Sequence, residues 1–160
     1  MTEPRWLNPQ ERDAWLALLA VTTQLPGKLD SDLQTQAKIT LFDYNVLAML
    51  SEEEERYLPM SELASKTNAS LSRLSHVVKK LEARGWVERT QCPSDARVTM
   101  AHLSDAGCEM LEGLAAEHVE SVRRLIFDGL DSKDVDDLSR LGRKITARLD
   151  PDHWIFRDEA

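Results

Sequence analysis

The sequence predicts a mainly α protein with one small β-hairpin. Apolar residues recur at helical spacing in six separate segments, two short runs at 86–90 and 97–103 alternate and are rich in β-formers, and neither a repeat nor a low-complexity linker divides the chain. The 160 residues are about one domain's worth of chain, and with 42% hydrophobic and 30% charged residues they can bury a core.

Asn8 before Pro9 is a good helix start, because Asn caps well and proline tolerates the first helical position. Trp15, Leu18, Leu19, Thr22, Leu25, Leu29 and Leu33 then follow a helical stripe, with a kink or break expected at Pro26-Gly27. Leu41 to Leu50 reads as a second helix with Leu41, Tyr44 (or Asn45), Leu47 and Met49 or Leu50 inward. The four carboxylates Glu52 to Glu55 repel one another and favour a solvated position. Met60 to Thr67 is a short helix and Ser70 to Arg84 a longer one, stopped by Gly85. Trp86–Thr90 and Arg97–Leu103 form the hairpin, joined by a longish loop, Gln91 to Ala96. Ser104 caps a long helix, roughly 40 Å by its apolar stripe of Leu111, Leu114, Ala115, His118, Val122, Leu125 and Ile126. Asp131 with Asp134 opens a last helix carrying Val135, Leu138, Leu141, Ile145 and Leu149 on one face, and Pro151 ends it.

Composition removes several functions. The longest apolar run, Ala14 to Val21, is far short of the roughly 20 residues a bilayer span needs. Glu3, Pro4, Glu11 and Asp13 do not make a secretory leader, so a cytoplasmic protein is expected. Cys92 and Cys108 form no CxxC pair, the four histidines fall at no ligand spacing, and no metal or other cofactor is expected. No Gly-rich phosphate loop, HExxH or GxSxG is present, which argues against an enzyme. The net charge of −8 is unevenly spread: residues 58–103 hold seven Lys/Arg against four acids, an excess of +3, so the remainder carries −11. A basic island on an acidic chain suits a polyanion-binding face.

That island coincides with two helices joined by a three-residue turn and followed directly by a hairpin, the order of a winged helix-turn-helix. Such a unit suits double-stranded DNA, since a helix fits the major groove with its first turn at base edges while the hairpin reaches the neighbouring minor groove or backbone. Leu63, Ala64, Thr67, Leu71, Leu74, Val77, Val78 and Leu81 supply an apolar interior. The opposite face shows Ser70, Ser72, Arg73, Ser75, His76, Lys79 and Lys80, short, polar and basic. Ser70 is also the expected N-cap.

The same segment resembles the MarR (multiple antibiotic resistance regulator) family of bacterial transcription factors. The likeness lies in Met60-Ser61-Glu62-Leu63-Ala64, Ser70-Leu71-Ser72-Arg73-Leu74, the run from Lys80 to Arg89, Asp95-Ala96-Arg97 and Leu103-Ser104-Asp105-Ala106-Gly107. The resemblance implies a homodimer, with residues 1–40 and 104–160 as a helical dimerisation region around a DNA-binding unit at 41–103. It further implies that Ser70 to Arg84 is the recognition helix, that Arg97 is the wing-tip residue entering the minor groove, and that Asp95 orients the wing by pairing with a basic neighbour. Many members carry Arg where this chain has Ala96, which removes one phosphate contact per protomer. His76 occupies a position often basic in the family, so its protonation would strengthen DNA binding at mildly acid pH.

Surplus leucine stripe on the flanking helices independently favours pairing of two chains. Trp6 and Leu7 at one end and Trp154, Ile155 and Phe156 at the other are expected to pack together across the dimer, and a two-fold dimer would read a pseudo-palindrome with helices roughly 34 Å apart. Family members often bind small aromatic ligands between the dimerisation helices and the DNA-binding lobe. Trp15, Leu19, Phe42 and Tyr44 are the candidates here for lining such an effector cleft, with ordinary core as the alternative. Cys92, on the wing near Arg89 and Arg97, is the candidate for a reactive thiol, and Cys108 a small buried filler. The competing function is a winged helix that docks protein, which the acidic total and Ala96 would suit.

Overall fold

The computed structural model describes residues 2–159. Among the described residues there are six α-helices: α1 (Pro9–Ala37), α2 (Leu41–Ser51), α3 (Met60–Lys66), α4 (Leu71–Ala83), α5 (Asp105–Leu125) and α6 (Ser132–Leu149). Three strands, β1 (Tyr57–Pro59), β2 (Val87–Cys92) and β3 (Asp95–Leu103), form an antiparallel sheet in the order β1-β3-β2. Short 3₁₀ turns follow α5 at Phe127–Gly129 and α6 at Trp154–Glu159.

Helix starts follow local chemistry. Asn8, Thr40 and Asp131 each accept from the backbone N–H three residues on and donate their own N–H to the carboxylates of Glu11, Asp43 and Asp134. Ser70 accepts from Arg73 N and Ser104 from Gly107 N. Gly85, at φ +76°, takes the left-handed conformation that ends α4.

Four expectations need correction. Of the kink or break expected at Pro26 the break does not occur, since α1 runs as one helix of 29 residues. Proline's missing N–H frees the Thr22 carbonyl, but both residues are exposed and water can satisfy it. The wing loop is shorter than expected, since β2 and β3 pair up to Cys92 opposite Asp95, leaving Pro93-Ser94 as the turn and a bulge at Gln91/Cys92. The helix after Ser104 stops at Leu125 after 21 residues, about 32 Å, because Ile126 leaves helical geometry. Leu71 is 54% exposed rather than interior, lying at the first residue of α4 beyond the buried stripe of Leu74, Val77, Val78 and Leu81. Apart from these, Trp154, Ile155 and Phe156 are half-buried on their own chain while Trp6 and Leu7 stay exposed; His153 meets Asn68 (Nε2 to Oδ1, 2.5 Å) and Trp154 lies near the Lys66 ammonium.

The core is continuous from the end of α1 through the winged unit to the start of α5. Leu33, Ile39, Val46, Leu47, Leu50, Leu63, Leu74, Val78, Leu81 and Leu103 are fully buried in it. The flanks differ. Thirteen of the fifteen large exposed hydrophobics lie outside residues 41–103, among them Trp15, Leu16 and Leu18 on α1 and Leu138, Leu141, Ile145 and Leu149 on α6. Within the chain, α1 is tied to α5 by Asp32, whose Oδ2 accepts from Ser121 Oγ at 2.7 Å and pairs with Arg124 at 3.2 Å.

The junction between wing and α5 has no spare room. A Cβ on Gly107 would stand 2.3 Å from the Trp86 carbonyl oxygen and 2.7 Å from Leu103 Cδ1. The first of these is backbone and cannot swing aside. Gly107→Ala is therefore expected to lower unfolding free energy by about 2 kcal/mol or more in urea denaturation. A change under about 0.5 kcal/mol, the level of an ordinary surface substitution, would contradict this packing.

Candidate nucleic-acid interface

The sequence between α3 and α4 makes a tight corner. Asn68 adopts φ 54°, Ala69 N bonds Ala64 O at 2.9 Å, and Thr67 Oγ1 donates to Leu63 O at 2.7 Å. Thr67 is thereby satisfied although buried. The corner leaves the first turn of α4 projecting, with Ser70, Leu71, Ser72, Arg73 and His76 exposed, Ser75 half-buried and Lys79 exposed farther along. Ser70's hydroxyl is engaged with Arg73 N, as its cap role requires.

The basic groups near this face are unequally free. Lys80 turns toward α2, its Nζ 2.8 Å from Oδ2 of Asp43, a carboxylate only 1% exposed. Arg73 spreads its guanidinium 4.0 Å over the Phe42 ring. Arg84 stacks on Trp86 at 4.2 Å. Arg89 is clamped by Glu82, through its backbone N and Nε at 3.0 Å each and Nη2 at 2.7 Å. His76 and Lys79 form no ion pair among the described residues.

At the wing tip Asp95 accepts three bonds from one residue, Arg97: from its backbone N and Nε at 3.0 Å and from Nη2 at 3.1 Å. The basic neighbour of Asp95 is thus Arg97 itself. These hydrogen bonds hold the Asp95 carboxyl below its ordinary range and raise Arg97 further. Arg97's side chain stays 91% exposed, so the pair aims the guanidinium without covering it. Cys92 beside it is held below the ordinary thiol range by hydrogen bonds from Ser94 and the turn backbone, not by the arginines. Cys108 is half-buried with its thiol raised by burial and Glu112.

The four residues considered for an effector cleft are not brought together. Tyr44 is core, its ring centroid 4.1 Å from that of His118 with the planes tilted by 37°, and burial raises the phenol and lowers the imidazole. Trp15 and Leu19 stand on the open face of α1, 49% and 38% exposed. Phe42 alone of the four borders the cavity between α1, α2 and α4. Asp43, which holds α4 to α2, escaped the sequence reading. Its signal was the capping-box pair Thr40…Asp43, which marks a helix start and says nothing of Lys80 thirty-seven positions on.

A projecting polar helix flanked by a hairpin with an exposed tip arginine defines a winged helix-turn-helix of the DNA-binding kind. The MarR family's sequence profile matches residues 39–99. Over nearly its whole length the chain is similar to Sco3205, a MarR family transcriptional regulator from Streptomyces coelicolor solved in complex with DNA: 39% identity, 95% of each chain, TM-score 0.90. AbsC, another MarR family regulator from Streptomyces coelicolor, is 38% identical over 91% of this chain and 98% of its own, with TM-score 0.87. The transcriptional repressor MprA of Escherichia coli is 29% identical over 67% of this chain, and the match spans 60% of that repressor's length. The chain belongs to the MarR family, and it is a DNA-binding transcription regulator rather than an enzyme. Among the described residues no helix is long and apolar enough to cross a membrane.

The Glu82–Arg89 clamp joins the end of α4 to the first wing strand and is pH-sensitive. Hydrogen bonds from Arg89 hold the Glu82 carboxyl below its ordinary 4.5. Its stabilisation is therefore present above that value and lost as pH falls through the lowered one. Glu82→Gln is expected to cost about 1 kcal/mol at pH 7, with the gap to wild type closing below about pH 4.5 in denaturant titrations. A gap that narrows at no pH below about 4.5 would assign the loss to packing.

Proposed function

We propose that this regulator works as a homodimeric repressor that reads a pseudo-palindromic operator and is released by a small ligand. Residues 1–40 and 104–160 form the dimerisation region in this reading, and 41–103 the DNA-binding unit. The observation that carries it is the division of surface: the winged unit buries its large apolar residues apart from Tyr57 and Leu71, while α6 and the first two-thirds of α1 leave most of theirs exposed. A second copy is the natural cover for such stripes. Pairing through them would present two α4 helices roughly 34 Å apart, one turn of DNA.

In each half-site the first turn of α4 enters the major groove. Ser72, Ser75 and Arg73 reach base edges there, with Arg73 suited to a guanine once it leaves Phe42, and the exposed Leu71 meets a thymine methyl. His76 and Lys79 contact phosphate, as does the Ser70 end of the helix through its amides. Lys80 is held back by Asp43 and meets phosphate only by leaving it. Arg97, pre-aimed by Asp95, enters the minor groove, and the ordered pair reduces what this insertion costs in side-chain entropy. The name of the Escherichia coli relative as a repressor, and the DNA in the Sco3205 crystals, support the direction and the partner.

The test is fluorescence anisotropy with the protein's own upstream DNA, titrated across salt. A steep log–log slope, and tighter binding than to scrambled duplex, is expected. Arg97→Ala should weaken binding to most sequences alike and reduce the slope by about 0.9 for each phosphate that the arginine neutralises. Binding that ignores both salt and sequence would instead favour a winged helix that docks protein.

A further inference from the structure

Beyond α6 the chain turns back and meets the corner between α3 and α4. His153 is 9% exposed, and its Nε2 lies 2.5 Å from Oδ1 of Asn68, the corner residue with φ 54°. Its Nδ1 accepts the Ile155 N–H at 3.3 Å. That bond requires a lone pair on Nδ1, so the ring proton sits on Nε2 and is donated to Asn68. The neighbouring Trp154 ring lies 5.9 Å from the ammonium of Lys66, the last residue of α3. The same turn is tied to α6. Arg143 donates to the Ile155 carbonyl at 3.1 Å, and its guanidinium lies over the Phe156 ring.

The other hydrogen bonds of the corner are local. Asn68 N bonds Ser65 O, Ala69 N bonds Ala64 O and Thr67 Oγ1 bonds Leu63 O, so all run back into α3. Among the described residues, the His153 bond alone joins residues 67–69 to anything outside α3. Ser70, Ser72 and Arg73 follow within five residues of Asn68, so the corner sets the angle at which they meet a base pair. Base readout needs side chains held to within about 0.5 Å. We propose that His153 is a positioning residue for DNA recognition: by donating to Asn68 it braces the helix-turn-helix corner against α6 and fixes the direction of α4. It acts through the corner and not by contact with a base. The inference rests on DNA binding by α4 and not on the repressor reading. In the opposite arrangement the corner is only a dock for the C-terminal turn, and DNA binding does not depend on the bond.

Three variants of the full chain separate the donor from the bulk of the ring. His153→Phe keeps a ring and loses the donor, whereas His153→Gln keeps an N–H at similar reach. Asn68→Gly removes the acceptor and retains the left-handed corner, which glycine adopts freely. Binding is read by anisotropy on a duplex that the wild-type protein selects from a random-sequence pool, and on a scrambled duplex. His153→Phe and Asn68→Gly are each expected to weaken binding to the selected duplex about fivefold, the scale of one hydrogen bond. Binding to scrambled duplex, which rests on phosphate attraction, should change less than about twofold. His153→Gln should stay within about twofold of wild type on both, and the double variant should bind no worse than the weaker single one. Circular dichroism of each variant should match wild type. If His153→Phe does not fold, Asn68→Gly, which alters an exposed side chain, decides the matter. Wild-type affinity in Asn68→Gly, equal weakening on both duplexes, or a loss in His153→Gln as large as in His153→Phe overturns the role. Failure of DNA recognition itself shows separately, as a pool from which the wild-type protein selects nothing.

Discussion

The apolar stripes of α1 and α6 find too little surface within their own chain. Leu138, Leu141, Ile145 and Leu149 fall on one face of α6 at three- and four-residue steps, and Leu149 is still 80% exposed. An 18-residue helix draws most of its stability from packing such a face, not from intrinsic propensity. The capping box of Asp131 and Asp134 fixes where α6 starts, but a cap is worth only about 1 kcal/mol. The arrangement of α1, α5 and α6 therefore calls for a second surface, and the proposed dimer supplies one of the same kind.

The winged unit has the opposite character. Its core is filled and runs on into the end of α1 and the start of α5. Inside the unit Lys80 on α4 meets the buried Asp43 of α2, and at its border with α5 Ser104 Oγ donates to Gly85 O at 2.6 Å and Gly107 packs under Trp86. Removing one partner of the Lys80–Asp43 pair would leave a carboxylate uncompensated in the interior, which is more costly than never having made the pair. The recognition helix is thus held by a few strong interactions at its rear. Movement of the flanking helices can reach its DNA-facing side through α1 and α2, the elements that enclose the cavity beneath Arg73.

Much of this was legible from sequence because it is local. Asn8, Ser70, Ser104 and Asp131 cap the helices their side-chain chemistry indicates, and Gly85 stops α4 for the reason glycine stops helices. The misses are tertiary. Strand β1 is three residues ending in proline and exists because β3 offers an edge, with Tyr57 stacked on His102 at 4.1 Å. Pro26 is harmless because its surroundings are wet, which composition cannot show. The pairing of Asp95 with a basic neighbour, by contrast, is local: the partner is Arg97, two residues away. The polar face of α4 was correctly identified, but which of its cations are free depended on Asp43 and Phe42, distant in sequence and on another helix.

The account centres on two chains acting on one duplex. Sedimentation velocity, first on the free protein and then with a palindromic duplex from its own promoter region, tests this directly. A free species of twice 18.2 kDa and a complex of two chains per duplex are the predicted results. A stable 18.2 kDa monomer, or one chain per duplex, would contradict the account, because the stripes on α1 and α6 would then need no partner copy.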